Sequence, residues 1–300
     1  MDCFQFRNLD AMYCSSLLKF RMRPIRVVRN GVLLFALLSC TIIAFAERSL
    51  DLGVVTYPDK GNGHGTLRST QSFQEWREAS VAPALNRIGY ALAEAEQVRI
   101  QQTVNQFARE TGYISLKGVD GFYWHPPISC LKAIKQRGDN QEWCIYRFFA
   151  STSEKSIWPV AKRLIDRGRA GGFNQLQMAS FIVSYVQAIP YQLQTKQPFG
   201  VLPPSLVAYE MQGDCDSKVL LAHMLLYAAG IRSILLVSNA HHHAVLGVAL
   251  AVPGHHVDWQ GVRYAMTELT AKMPLGQIDP RMLNPADWRP VAVYTTVRGR

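Results

Sequence analysis

Three observations predict an α+β fold. Val219–Ala229 is an apolar run of helical length, headed by Gly213-Asp214-Cys215 and closed by Gly230. Three strand-like runs then follow over short links: Ile231–Val237, His243–Leu250 and Val262–Leu269. Helical periodicity governs much of the chain before the cysteine. A buried helix at Cys215, packed on an antiparallel sheet and preceded by a helical extension, accounts for all three.

The chain begins with a leader. Gly31–Ala46 carries no charge, follows Arg21, Arg23, Arg26 and Arg29, and ends in Ala44-Phe45-Ala46. A basic region, an apolar region and a small-x-small site make residues 1–46 a secretory signal, with Met22 as the better start. Two alternatives stand: an uncleaved membrane anchor, or lipidation at Cys40. Residues 47–72 read as a loose spacer in which His64 is a loop residue. Leu85, Ile88, Leu92, Ala95 and Val98 set a helical stripe within 73–111. Residues 112–152 are aromatic and β-prone, Trp143–Phe149 included, so 73–152 forms a helical and aromatic-rich region.

The domain expected to carry chemistry covers 153–300. It opens with a helix over Ile157–Arg167, with Pro159 in the first turn. A second helix runs from about Asn174 to Gln187, and a proline-bearing loop over 192–208 leads to the cysteine. Asp214 is the expected N-cap and Gly230 the stop. Cys215 then lies in the first turn, where backbone N–H groups and the helix dipole favour a thiolate.

Composition narrows the classes. The 300 residues are 48% hydrophobic and 18% charged, which suits a sizeable core. The formal charge is +10, and +6 remains once residues 1–46 are set aside. No Lys/Arg block or aromatic-basic interleaving points to nucleic acid, and no partner of that kind is expected. An anionic wall or membrane surface suits the balance better, with membrane contact only through the N-terminal segment if it is retained. Removal of the leader leaves Cys130, Cys144 and Cys215 of the six cysteines. In an oxidising compartment Cys130 and Cys144 are the near neighbours to pair, which makes Cys215 the reactive thiol; three buried thiols are the alternative.

A thiolate nucleophile needs a base, and the base an orienting carboxylate. His243 opens one strand and Glu268 lies near the end of another, so both side chains can project toward the helix start. His242 is the second candidate base. The histidines at 241–243 and 255–256 are not read as a metal site, because adjacent strand residues point to opposite faces.

Gly213-Asp214-Cys215-Asp216-Ser217-Lys218, the apolar helix, Gly230-Ile231, His243-Ala244-Val245 and Tyr264-x-x-x-Glu268-x-Thr270 together resemble the transglutaminase-like cysteine peptidase superfamily. Ile189-Pro190-Tyr191 and the proline-bearing loop add to the likeness, which spans about Phe173 to Ala271. It implies a papain-like core and a Cys215–His243–Glu268 triad, with Glu where many members have Asp. It also implies amide chemistry on a protein or cell-wall peptide, by hydrolysis or by amine transfer; a non-catalytic binding module is the alternative. Oxyanion or substrate contacts fall to the Cys215 N–H, Tyr191, Gln192 and Asp216. No cofactor is required. Calcium is the one ion the likeness brings up, and Ser217 replaces an acidic residue common in bacterial members. The expected location is the periplasm or the cell envelope.

Overall fold

The computed structural model describes residues 70–78, 82–116, 121–137 and 141–293, all within one compact unit. The leader and nearly all of the spacer lie outside the described residues. No helix among those described is long and apolar enough to cross a membrane.

The mixed α+β class holds, but its first elements differ from expectation. Residues Thr70–Glu78 (β1) and Ala82–Leu92 (β2) form an antiparallel hairpin where a helix was expected. The spacing of Leu85, Ile88 and Leu92 suits a helix, yet Asn86, Ile88, Tyr90 and Leu92 are the buried positions, a period of two. Pro83 and Gly89 also disfavour a helix. The hairpin lies on two helices. The Tyr90 hydroxyl donates to the Ser156 carbonyl at 2.6 Å, and the Trp76 indole donates to Ser184 at 3.1 Å. Helix α1, Glu94–Glu110, buries Ile100, Val104, Phe107 and Ala108 while Val98 is exposed. Its core stripe therefore begins later than the one read from sequence.

Ile114–Ser115 (β3) and Phe122–Tyr123 (β4) pair as a short hairpin. Helix α2, Ile128–Arg137, precedes the long helix α3, Glu142–Ala170. The Cys130–Cys144 disulfide joins α2 to the start of α3. Trp143–Phe149, read as β-prone, is helical because tertiary burial of Trp143, Ile145, Tyr146 and Phe149 outweighs local preference. Pro159 accordingly lies inside α3 rather than in a first turn. The expected boundary after residue 152 also falls within this helix.

Helix α4, Gln175–Gln187, starts with a capping box between Asn174 and Gln177, close to the expected limits. The segment read as one long loop contains helix α5, Pro204–Glu210, with Pro204 in its first turn. Helix α6, Cys215–Ala228, matches its expected bounds, and the Asp214 side chain caps it through the Ser217 N–H at 2.9 Å. Residues 215–226 are all buried, as a helix at the centre of the fold requires.

The sheet has five antiparallel strands: β5 (Ser233–Ser238), β6 (His243–Val248), β7 (His256–Trp259), β8 (Val262–Thr267) and β9 (Arg289–Val291). Their order is β7-β8-β6-β5-β9. Strands β7 and β9 carry no alternating apolar pattern and were not expected. Pro290 is tolerable in β9 because that strand is an edge. Ile234, Leu236, Val245, Tyr264 and Met266 form one core with Ile278 and Trp288. Alternation turns Leu235, Val237, Ala244 and Leu246 to the opposite face, where α6 packs.

Two predictions follow from this packing. A Cβ at Gly247 would lie 2.8 Å from Ile234 Cγ1 and 3.2 Å from Tyr264 Cβ. Gly247→Ala should therefore cost about 1–3 kcal/mol by overpacking, read as a lower urea midpoint at unchanged slope. His223, fully buried on α6, bonds Ser233 at 2.9 Å and the Val293 carbonyl. Burial pushes its pKa down to about 4, against two hydrogen bonds that oppose the shift. A depressed folded pKa gives stability that is complete above the unfolded value of about 6.5 and is lost as pH falls toward 4. Urea unfolding of wild type and His223→Gln between those limits should show a difference that shrinks by roughly 3 kcal/mol on acidification. A constant difference would contradict this account.

Candidate active site

The site is assembled at the N-terminus of α6. Cys215 is the first helical residue, directly after the Asp214 cap. Residues 190–192 run beside the turn that precedes it. The Gly213 N–H donates to the Pro190 carbonyl at 3.3 Å, and the Gln192 N–H donates to the Gly213 carbonyl at 3.0 Å. Tyr191 and Gly213 form an isolated parallel bridge. Tyr191 and Gln192 are thus held by main-chain bonds next to the cysteine turn.

Lys218, on the first turn of α6, is buried and donates from Nζ to the Ile189 carbonyl at 2.7 Å. Burial pushes its pKa down to about 8, with the nearby charge of Glu268 opposing. The lysine fixes the end of α4 against the start of α6. Gln187 adds a second tie, donating from Nε2 to the main-chain carbonyls of Glu268 and Met273, each at 2.8 Å. Neither residue has a sequence signature that would mark it as part of a site.

The imidazole and carboxylate expected to act together are in contact. His243, the first residue of β6, bonds through Nε2 to Glu268 Oε2 at 2.9 Å. Glu268 follows β8 directly rather than lying within it. Its Oε1 accepts from the N–H groups of Leu269 and Thr270 and from the Thr270 hydroxyl, at 2.7 to 2.9 Å. Burial works to raise the Glu268 pKa, but the hydrogen bond and charge of His243 and the Thr270 donors hold it down at about 2. The carboxylate is therefore ionised and saturated with donors. Trp288 lies beside this pair, its ring 6.4 Å from that of His243 and edge-on.

A positive charge on His243 lowers the pKa of Asp216, the residue after Cys215. Strand β6 packs directly on α6. The other histidines are placed elsewhere. His241 bonds Asp287 at 3.1 Å. His242 occupies the left-handed region with φ of 49° in the turn before β6.

Two features differ from the sequence reading. Cys215 is itself disulfide-bonded and has no exposed surface. It is therefore not the free thiol that pairing of Cys130 with Cys144 was expected to leave. Asp216, read with Tyr191 and Gln192 as an oxyanion or substrate contact, is 3% exposed. Its Oδ1 accepts from the Tyr146 hydroxyl, and its Oδ2 lies 3.7 Å from Cys215 Sγ. Tyr146 comes from α3, in a stretch read as strand, so sequence gave no reason to place it here.

Burial pushes the carboxyls of Asp214 and Asp216 upward, and the charge of Asp216 adds to the shift at Asp214. One oxygen of Asp214, Oδ2, is buried with no hydrogen-bond partner. The Ser217 hydroxyl accepts from the Leu202 N–H at 2.8 Å. Among the described residues, no group of three or more His, Cys, Asp or Glu side chains is placed to hold a metal ion.

The structure sets a sulfur at the start of α6 and, on and beside the sheet that packs against that helix, an imidazole hydrogen-bonded to an ionised carboxylate. No family model, curated protein or solved structure matches this chain, so the likeness to the transglutaminase-like cysteine peptidases stands on the residues themselves.

Proposed function

We propose that the protein is a thiol hydrolase, a peptidase or amidase of the transglutaminase-like cysteine peptidase type, with a papain-like core and a Cys215–His243–Glu268 triad. The observation that carries this reading is the part-buried His243–Glu268 pair, with His243 on the strand that packs against the helix headed by Cys215. An ionised carboxylate saturated with donors stabilises an imidazolium, and an imidazolium stabilises a thiolate.

The chemistry belongs to the reduced, uncovered form of Cys215. Glu268 engages Nε2 of His243, which assigns Nδ1 to proton exchange with sulfur. Nδ1 takes the thiol proton, and Sγ attacks the carbonyl carbon of an amide to give a tetrahedral oxyanion. The Cys215 N–H at the helix start stabilises that charge, with the Tyr191–Gln192 segment alongside. The imidazolium then delivers its proton to the departing amine, leaving a thioester. Water, deprotonated by the same imidazole, attacks the thioester and releases acid and thiol. Entry into the cycle from the disulfide-bonded state requires a thiol reductant that supplies two electrons and two protons to the two sulfurs.

Export to the periplasm or envelope is part of the same proposal. It is supported by the leader sequence and by the Cys130–Cys144 disulfide, which suits an oxidising compartment. A protein or a cell-wall peptide is the substrate class.

The test is iodoacetamide labelling of Cys215 in reduced protein at neutral pH, alongside hydrolysis of peptide-amide libraries. Cys215→Ala should abolish turnover. His243→Ala should lower both the alkylation rate and turnover by about 10²-fold or more. Glu268→Gln should lower turnover with a smaller effect on binding, because the ring loses its orienting charge. Alkylation of Cys215 at equal rates in wild type and His243→Ala would overturn the reading. Incorporation of a primary-amine probe in place of water would move the activity from hydrolysis to transfer.

A further inference from the structure

The hydroxyl of Tyr146 donates to one oxygen of Asp216, and the other oxygen faces the sulfur of Cys215 at 3.7 Å. The carboxylate therefore bridges a phenol on α3 and the nucleophile on α6. Tyr146 has no exposed surface. A buried phenol contributes a strong hydrogen bond here only because a carboxylate accepts it. A carboxylate beside a nucleophilic sulfur has a cost, since like charge opposes thiolate formation. Its presence needs a role that outweighs that cost.

We propose that Tyr146 and Asp216 form a positioning pair for Cys215, in which the phenol fixes the carboxyl group and the carboxyl group fixes the sulfur and sets the pH at which the thiol ionises. This inference rests on the thiol-hydrolase reading and deepens it. When ionised, Asp216 accepts the S–H and holds sulfur as a thiol. When protonated, it directs an O–H toward the sulfur and favours the thiolate. Only protons move, and no covalent bond to carbon forms or breaks.

The charged groups facing Asp216 come from every side of the helix start. Tyr146 and Glu142 lie on α3, Asp214 and Cys215 on α6, and His243 on β6. Burial raises the Asp216 pKa, the Tyr146 hydrogen bond and the His243 charge lower it, and Glu142 raises it. Glu142 is itself tied to Arg289, at 2.9 Å. Lys218 points away, to the Ile189 carbonyl. Asp216 is thus the group through which α3 acts on the sulfur.

The test measures the alkylation rate of Cys215 by iodoacetamide in reduced full-length protein, from about pH 4 to about pH 9. The modified peptide is quantified by mass spectrometry, so that Cys130 and Cys144 do not contribute. Asp216→Asn removes the like charge without changing shape. It should move the acid limb of the profile to lower pH by about one unit or more. Tyr146→Phe leaves the carboxyl neutral to higher pH, so its limb should move the same way by less. A merely structural pair would change the amount of folded protein but not the position of the limb. Superimposable limbs in wild type and the folded variants, with wild-type alkylation still dependent on His243, would overturn this inference alone. If one variant fails to fold, the other decides. Loss of His243 dependence in wild type would instead overturn the thiol-hydrolase reading.

Discussion

The structure depends on burying the N-terminus of one helix. A helix start exposes N–H groups that need acceptors and a positive dipole end that attracts negative charge. In α6 the Asp214 side chain satisfies the Ser217 N–H. Around it, Ser217 accepts from Leu202 and Lys218 donates to Ile189. Each bond recruits a different segment: the approach to α5, the end of α4, and the turn at Gly213. Burying polar groups is costly unless each finds a partner, so these segments are fixed together or not at all. The sulfur of Cys215 is placed by that requirement.

The same constraint explains why Cys215, His243 and Glu268 come from distant parts of the chain. Strands β5 and β6 cover α6 because the helix is apolar on every side and must be enclosed. His243 begins the strand that lies on it. Glu268 follows β8, the neighbour of β6, and is held by donors from its own backbone and from Thr270. A Glu in place of a shorter side chain is accommodated because one oxygen is occupied by the local turn and the other alone reaches His243.

Beyond Asn174 the fold was legible in sequence for physical reasons, apart from α5, β7 and β9. The capping box at Asn174, the Asp214 cap and the positive φ of 76° at Gly230 are local signals. Strands β5, β6 and β8 show continuous apolar runs. The earlier half was not legible, because long-range packing decides it. Trp143–Phe149 has strand propensity but is enclosed as a helix. The residues of β2 carry a spacing compatible with two periods, and only the positions of Trp76 and Tyr90 against α4 and α3 select between them. Cys215, His243 and Glu268 could be singled out because the first two begin elements and the third directly follows one. Tyr146, Gln187 and Lys218 could not, since nothing local distinguishes a buried polar side chain that meets the site from one that does not.

The upstream region is therefore better understood as the floor of the site than as an appendage to it. Phe199 adopts φ of 61°, a conformation that costs a non-glycine residue of order 1–3 kcal/mol. It is held there by rings from four upstream segments. Phe107, Tyr113, Phe122, Trp124 and Phe149 all lie within 6.2 Å of its ring, centroid to centroid. The Gln101 and Gln197 side chains exchange hydrogen bonds beside them. That cluster sets the path of the chain into Val201 and Leu202, and the Leu202 N–H bonds Ser217 on the first turn of α6. Tyr146 reaches the same turn from the other side. The span that resembles the cysteine peptidases, taken alone, would keep Cys215, His243 and Glu268. It would lose the upstream rings that hold Phe199 in its strained conformation and the phenol that meets Asp216, and the helix start would no longer be enclosed.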